Sequence, residues 1–163
     1  MTSNNIVLIG FMGCGKSTLA KELYRQTHKL ILDSDSIIEN NENQKISTIF
    51  VQKGEEYFRK LEREFCDFIA SNVQNSIIAT GGGMPLFCEV KKMGKVFFLH
   101  LDFKIILQRL NKEEIAKRPL FANKKSAFSL YNTRLEHYKK NAHFTLDASK
   151  NPKDLAQEIL ELL

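Results

Sequence analysis

The residues of this chain most able to do chemistry begin in one short run, GFMGCGKST, from Gly10 to Thr18. The run fits GxxxxGK(S/T), the Walker A pattern. Glycines at this spacing let successive backbone N–H groups turn inward around phosphate oxygens, and a helix starting near Lys16 adds the positive end of its dipole. Lys16 is placed to reach the β- and γ-phosphates of a nucleoside triphosphate, and the Ser17 hydroxyl to bind Mg²⁺. Gly13, Cys14, Gly15, Lys16, Ser17 and Thr18 are therefore candidate nucleotide ligands. The motif demands a strand before it and a helix after it. NIVLIG is a short apolar run ended by glycine, and STLAKELYRQTH carries Leu19 and Leu23 one turn apart, which argues against a chance glycine-rich turn. Cys14 occupies a free position of the motif; a thiol at a helix N-terminus can be reactive, but a filler is the simpler reading. The loop alone leaves open whether the γ-phosphate goes to water, goes to a small molecule, or serves as a switch.

Two carboxylates, Asp33 and Asp35, follow in LDSDS, just past a second apolar run. Such a pair can serve a metal ion and an acceptor hydroxyl. Asp and Ser are also good helix caps, and one of the two can be doing only that. A third apolar run, SIIAT, ends in Gly81, Gly82 and Gly83, not in the aspartate that a GTPase or motor ATPase would usually present there. Bare glycines past a strand let a ligand approach the backbone closely; a plain turn is the competing reading. Arg59 stands beside Phe58 with Glu62 one turn on, and Arg134 stands in TRLEHY. On the residues alone each is equally well a helix-surface charge. Arg118 in KRPLF is a candidate for neutralising a transferring phosphoryl group from a mobile segment.

Holding these groups together requires a sheet. NIVLIG, LILD, SIIATGGG, KVFFLHL and HFTLD read as five strands. Between them lie STLAKELYRQTH; a short helix QKISTIFVQKG closed by Gly54; and the longer EEYFRKLEREFCDFIAS, with Phe58, Leu61, Phe65, Phe68 and Ile69 on one stripe. A helix from Asp102 to about Leu110 follows, then SAFSLYNTRLEHYKKNA with Phe128, Tyr131, Leu135 and Tyr138 on one stripe. NPKDLAQEILELL ends the chain, with Asn151 as N-cap and Pro152 at the first helical position. NKEEIAKRPLFANKK is polar and basic and holds one proline, which predicts a mobile segment. Strands alternating with helices predict an α/β fold, a mostly parallel sheet with helices on both faces. Ligands bind such sheets at the carboxyl ends of the strands. Gly10, Asp33 and Gly81 all lie just past strand ends, so the three motifs should share one edge.

Length and composition agree. A chain of 163 residues, 43% hydrophobic and 26% charged, suits one domain with a real core and no disulfide staple. Cys14, Cys66 and Cys88 form no CxxC pair, and a scattered odd set fits a reducing compartment. The N-terminus lacks the basic and apolar regions of a signal peptide, and no apolar stretch approaches the roughly 18 residues needed to span a bilayer, so a cytoplasmic protein is expected. The net charge of +5 and pI near 9.1 admit a nucleic-acid binder, but the basic residues are spread through helices beside Glu, as in GEEYFRKLEREF, and form no stripe with aromatic platforms. Small anionic ligands are the better match, and neither nucleic acid nor membrane is expected as a partner.

Together GFMGCGKST, LDSDS, FRKLE, TGGG, KRPLF, RLEHYKKNA and LDASKNP, in that order and near these spacings, resemble shikimate kinase over essentially the whole chain. The resemblance implies a single P-loop domain over 1–163, a three-layer α/β/α fold like that of the nucleoside monophosphate kinases. It implies a five-stranded parallel sheet, a substrate-binding helical segment at about 34–61 and a lid at about 112–124. The activity implied is Mg²⁺-dependent transfer of the ATP γ-phosphate to the 3-hydroxyl of shikimate, in chorismate and aromatic amino acid biosynthesis. In that reading Asp35 meets the substrate hydroxyls and is the base, while Asp33 and Ser17 serve Mg²⁺. Arg59 and Arg134 hold the shikimate carboxylate, and Gly81, Gly82 and Gly83 face the substrate. Lys16 and Arg118 attend the transferring phosphoryl group. Arg109 and the DASKNP loop flank adenine, Phe50 and Phe58 wall the ring, and Glu62 steadies Arg59. The family and the polar surface point to a monomer. The nearest rival is another small-molecule kinase of the same fold, such as gluconate kinase; a nucleotide-dependent regulator or nucleic-acid binder is the rival from another class.

Overall fold

The computed structural model describes residues 4–116 and 119–163. β1 (Ile6–Ile9) leads into α1 (Lys16–Thr27), and β2 (Ile31–Asp33) directly into α2 (Ser34–Glu42) and then α3 (Ile46–Asn72). β3 (Ile77–Ala79) is followed by the short α4 (Met84–Phe87) and a 3₁₀ turn at Val90–Met93. β4 (Lys95–His100) precedes α5 (Phe103–Arg109), α6 (Lys112–Ala116) and a 3₁₀ turn at Pro119–Ala122. α7 (Lys124–Asn141), β5 (Phe144–Asp147) and α8 (Pro152–Glu161) complete the chain.

The strands form one parallel sheet in the order β2-β3-β1-β4-β5. β1 lies at its centre and is buried along its whole length, as expected for an apolar strand covered on both faces. Helices α1 and α8 pack together as one group, and α4 packs against both α3 and α7 as another. The fold is thus the expected P-loop α/β architecture. Asn151 caps α8 by accepting from the Lys153 amide at 2.9 Å, with Pro152 in its first turn. Gly54 takes φ 82° and ψ 167° within α3, so the two helices expected there meet in a kink at that residue. Only glycine adopts this conformation without strain.

Two expectations need amendment. The start of the helical segment expected at about 34–61 is α2, which the strand-by-strand reading did not delimit; Asp33 caps it, accepting from the Ser36 amide at 2.9 Å, and the helix runs on to Glu42. Phe68 and Phe128, read as stripe residues, are 59% and 49% exposed. Phe68 borders an open apolar groove with Leu32, Ile37 and Leu61, and Phe128 lies at the edge of the Phe103 ring, 5.3 Å between centroids. The apolar stripes of α3 and α7 are wider than the surfaces that cover them.

At the amino edge of the sheet, opposite the glycine loops, Asn5 is fully buried. Its amide nitrogen donates to the carbonyls of Val73 at 2.8 Å and Met93 at 2.9 Å, and its amide oxygen accepts from the Ser76 amide at 2.9 Å. The side chain thereby ties together the segments that enter β1, β3 and β4. Each buried group left without a partner costs about 1–3 kcal/mol. Asn5→Ala is expected to lower the unfolding free energy by about 2–4 kcal/mol in urea titration; a loss under about 1 kcal/mol would mean water replaces the amide.

Candidate active site

Because all strands are parallel, Gly10, Asp33 and Gly81 come to the same edge, as expected. A cleft of about 1450 Å³ opens there. The phosphate-loop residues Gly13, Cys14, Gly15, Lys16, Ser17 and Thr18 line it. So do Asp33, Asp35, Arg59, Gly81, Gly82, Arg109 and Arg134. Gly83 lies just behind, against Arg59. Lys117 and Arg118 lie outside the described residues.

The loop is built as its sequence requires. Gly13 and Gly15 take φ 82° and 102°, turning the chain before α1. Lys16 Nζ donates to the Gly10 carbonyl at 2.6 Å and the Phe11 carbonyl at 3.2 Å, which holds the ammonium over the loop. Cys14 is buried, and a Cβ at Gly10 would come 2.8 Å from its Sγ. The packing reading of Cys14 fits this contact.

The TGGG turn seats three charged side chains. A Cβ at Gly81 would fall 2.5 Å from Asp35 Oδ1, one at Gly82 3.3 Å from Arg134 Nη1, and one at Gly83 2.6 Å from Arg59 Nη1. The turn itself is fastened: the Gly81 amide donates to Ser34 Oγ at 2.8 Å, the Thr80 hydroxyl to the Leu8 carbonyl at 3.0 Å, and the Tyr138 hydroxyl to the Gly82 carbonyl at 2.6 Å. Sequence reasoning missed the roles of Ser34 and Tyr138. Tyr138 was read as an apolar stripe residue, although it stands one turn beyond Arg134 on the same helix face.

Arg59 is buried, and Glu62 beneath it is 1% exposed. Glu62 Oε2 accepts from Arg59 Nη1 at 2.7 Å. Burial raises the Glu62 carboxyl above its ordinary value, and the hydrogen bond from Arg59 pulls it the other way. The Phe87 ring covers the guanidinium at 4.2 Å, a contact absent from the sequence reading. Phe50 lines the cleft, while Phe58 is packed behind it, with ring centroids 5.0 Å apart. Arg134 lies against the Phe11 ring at 5.9 Å, and its buried Nε has no hydrogen-bond partner among the described residues.

The two aspartates are not equivalent. Asp33 Oδ1 is engaged as the cap of α2. Asp35 is pushed up to about 6, first by burial and next by the charge of Asp33, with Lys16 and Arg59 opposing. At the far end of the cleft Arg109 donates to the Ala148 carbonyl at 3.1 Å, joining α5 to the segment after β5, where Lys150 and Pro152 also line the wall. Cys66 and Cys88 lie outside the cleft lining, buried, with thiols pushed up by burial to about 11 and about 12. Among the described residues no group of three His, Cys, Asp or Glu could hold a metal ion unaided.

The contact distances generate a prediction. Gly83 has φ −91°, so alanine suits its backbone, and the atoms a Cβ would meet there and at Gly81 are the ends of flexible side chains. Gly81→Ala is therefore expected to cost less than about 1 kcal/mol of stability, and Gly83→Ala more, because Arg59 is buried and tied to Glu62. They displace Asp35 and Arg59 by an ångström or so, and turnover should fall about tenfold or more. A thermal melt beside a rate assay checks this; full activity in both variants would mean the close seating is irrelevant.

Comparison with known proteins agrees with the geometry. The family model for shikimate kinase matches residues 12–163. The curated shikimate kinase of Helicobacter hepaticus is 42% identical over 159 residues, covering 98% of this chain and 95% of that protein. The solved structure of a shikimate kinase from Acinetobacter baumannii in complex with shikimate superposes with a TM-score of 0.85 at 32% identity, covering 99% of this chain and 93% of that one. A deoxyadenosine kinase from M. mycoides, solved with bound dATP, shares the fold with a TM-score of 0.65 at 19% identity, covering 97% of this chain and 98% of that one. The loop, the paired aspartates and the arginines seated on TGGG thus lie in a chain that belongs to the shikimate kinase family.

Proposed function

We propose that this protein transfers the γ-phosphate of ATP to the 3-hydroxyl of shikimate, giving shikimate 3-phosphate and ADP. The observation that carries the reading is the seating of one half-buried carboxylate and two arginines on the three-glycine turn, beside the phosphate loop. A cyclic polyol with a carboxylate meets Arg59 and Arg134 at its anionic end and Asp35 at its hydroxyls. Gluconate also carries a carboxylate, but the single compact seat formed by Gly81–Gly83 favours a ring.

The chemistry asks the protein for position and charge neutralisation. Asp35 accepts the proton of the attacking hydroxyl as its oxygen bonds to the γ-phosphorus and the bond to the β-phosphate oxygen breaks. Lys16 and the loop amides carry the charge that builds on the phosphates. Mg²⁺ bound with the nucleotide would neutralise further charge. Ser17 Oγ and, through a water, the Asp33 carboxylate would be the hard oxygen groups that hold it, since Mg²⁺ keeps part of its water shell beside phosphate oxygens. The segment 112–124 acts as a lid in this reading, with Glu114 and Leu120 on the cleft wall, and Arg118 is its phosphate-binding residue. Arg109 and the loop after β5 hold adenine. No described helix is long and apolar enough to cross a membrane, and we read the protein as a cytoplasmic monomer, which light scattering after gel filtration tests.

A coupled ADP-release assay with MgATP tests the function. Release should require shikimate and not occur with gluconate; in the same assay Arg118→Ala should lower kcat by about 10²-fold or more. Release with gluconate alone would keep the kinase and overturn the acceptor.

The pH dependence follows from Asp35. The base is the ionised form, so kcat/KM should rise with pH up to about 6 and then level. Because the folded value lies above the ordinary one, stability from this group is full at low pH and is lost as pH climbs through about 6. Asp35→Asn should therefore raise Tm more at pH 8 than at pH 4 and remove about 10²-fold or more of turnover. Near-normal turnover of Asp35→Asn at pH 8 would end its role as base.

A further inference from the structure

We propose that Glu55 is an internal competitor for the substrate carboxylate at Arg59, setting how tightly a carboxylated acceptor binds and screening the guanidinium from neutral ones. The inference rests on the reading of Arg59 as a carboxylate site.

Gly54 restarts the helix, so Glu55 opens its next turn and Arg59 follows one turn later. Glu55 Oε1 accepts from Arg59 Nε at 3.1 Å and Nη2 at 3.0 Å. That flank presents two parallel N–H groups, the edge that matches an incoming carboxylate best. The other approaches are closed. Glu62 holds Nη1, the tip rests against Gly83, and Phe87 covers a face. The two acids differ in access. The Glu62 side chain is 1% exposed, whereas that of Glu55 is 58% exposed and lines the cleft with Arg59 and Asp35. One partner is permanent and the other exchangeable.

The plain alternative is an i, i+4 surface pair, and pairs with an exposed partner are weak. Here weakness is what exchange requires. A bound carboxylate must displace Glu55 or share the same charge with it, and either lowers its affinity. An acceptor without a carboxylate has nothing to exchange for Glu55, so the pair also acts as a filter.

Calorimetric titration of shikimate into the wild type, Glu55→Gln and Glu55→Asp tests this. Glu55→Gln keeps the shape and removes the charge. Its Kd for shikimate should fall about two- to fivefold, the strength of such a pair expressed as affinity. The KM for shikimate should fall with it, the KM for MgATP should hold, and Glu55→Asp should stay near wild type. A Kd for shikimate that is unchanged or higher in Glu55→Gln would overturn the proposal and make Glu55 a positioning residue. An equal fall in the KM for MgATP would also overturn it. No shikimate binding by the wild type would instead remove the reading of Arg59 on which the proposal stands.

Discussion

Three positions without side chains decide how close the charged groups of the cleft can come to one another. Asp35, Arg134 and Arg59 are drawn from α2, α7 and α3, elements far apart in the chain, and all three rest on Gly81–Gly83. The turn can serve as a common floor because β3 lies between β1 and β2 in the sheet. That order puts the end of β3 beside both the phosphate loop and the start of α2. The hydrogen bonds from Thr80, Gly81 and Tyr138 then fasten the floor to β1, α2 and α7 respectively. Burying several charges in one place is costly unless each has a partner, and a bare backbone lets those partners approach without bulk between them.

The cleft balances those charges unevenly. Arg59 has Glu62 beneath it and Glu55 in front, whereas Arg134 has an aromatic ring and a buried Nε without a partner among the described residues. A buried orphan donor is rare in a settled structure and calls for a reason. An anionic ligand supplies one. Arg134 is then the arginine with attraction to spare, and Arg59 the one whose charge is already held in check. Two arginines that look equivalent in sequence thus have different surroundings, and in the function proposed above one would draw the carboxylate in while the other admits it by exchange.

Much of this was legible in the residues, and the rest was hidden for physical reasons. The phosphate loop, LDSDS and TGGG could be read because their chemistry is local: glycines, a lysine and carboxylates at short fixed spacings, each past an apolar strand. The common edge followed from strand alternation alone. Glu55 was not legible, since an acid four residues before an arginine is the commonest kind of helix-surface pair; only the burial of Arg59 and the line of the cleft separate it from the rest. The Phe87 contact arises where α4 meets α3, two elements brought together by the sheet, and no spacing announces it. Phe68 and Phe128 were misjudged because helical periodicity tells which residues share a face and not how far the neighbour extends to cover it.

The same distinction between type and setting resolves the two aspartates. Asp33 and Asp35 have the same side chain and stand two residues apart, yet the start of α2 divides them. Asp33 is the cap: its carboxylate faces the helix N-terminus and has given one oxygen to the Ser36 amide. Negative charge is welcome there, and its second oxygen is left for a ligand. Asp35 lies in the first turn, pressed against Gly81 and half-buried, with the charge of Asp33 beside it. Both influences favour its neutral form, so the carboxylate, once formed, takes a proton readily. Carboxyls whose surroundings set them apart divide the work of an acid–base site between them. In the function proposed above, the strand end and helix start that cap one and half-bury the other would therefore separate cation ligand from base.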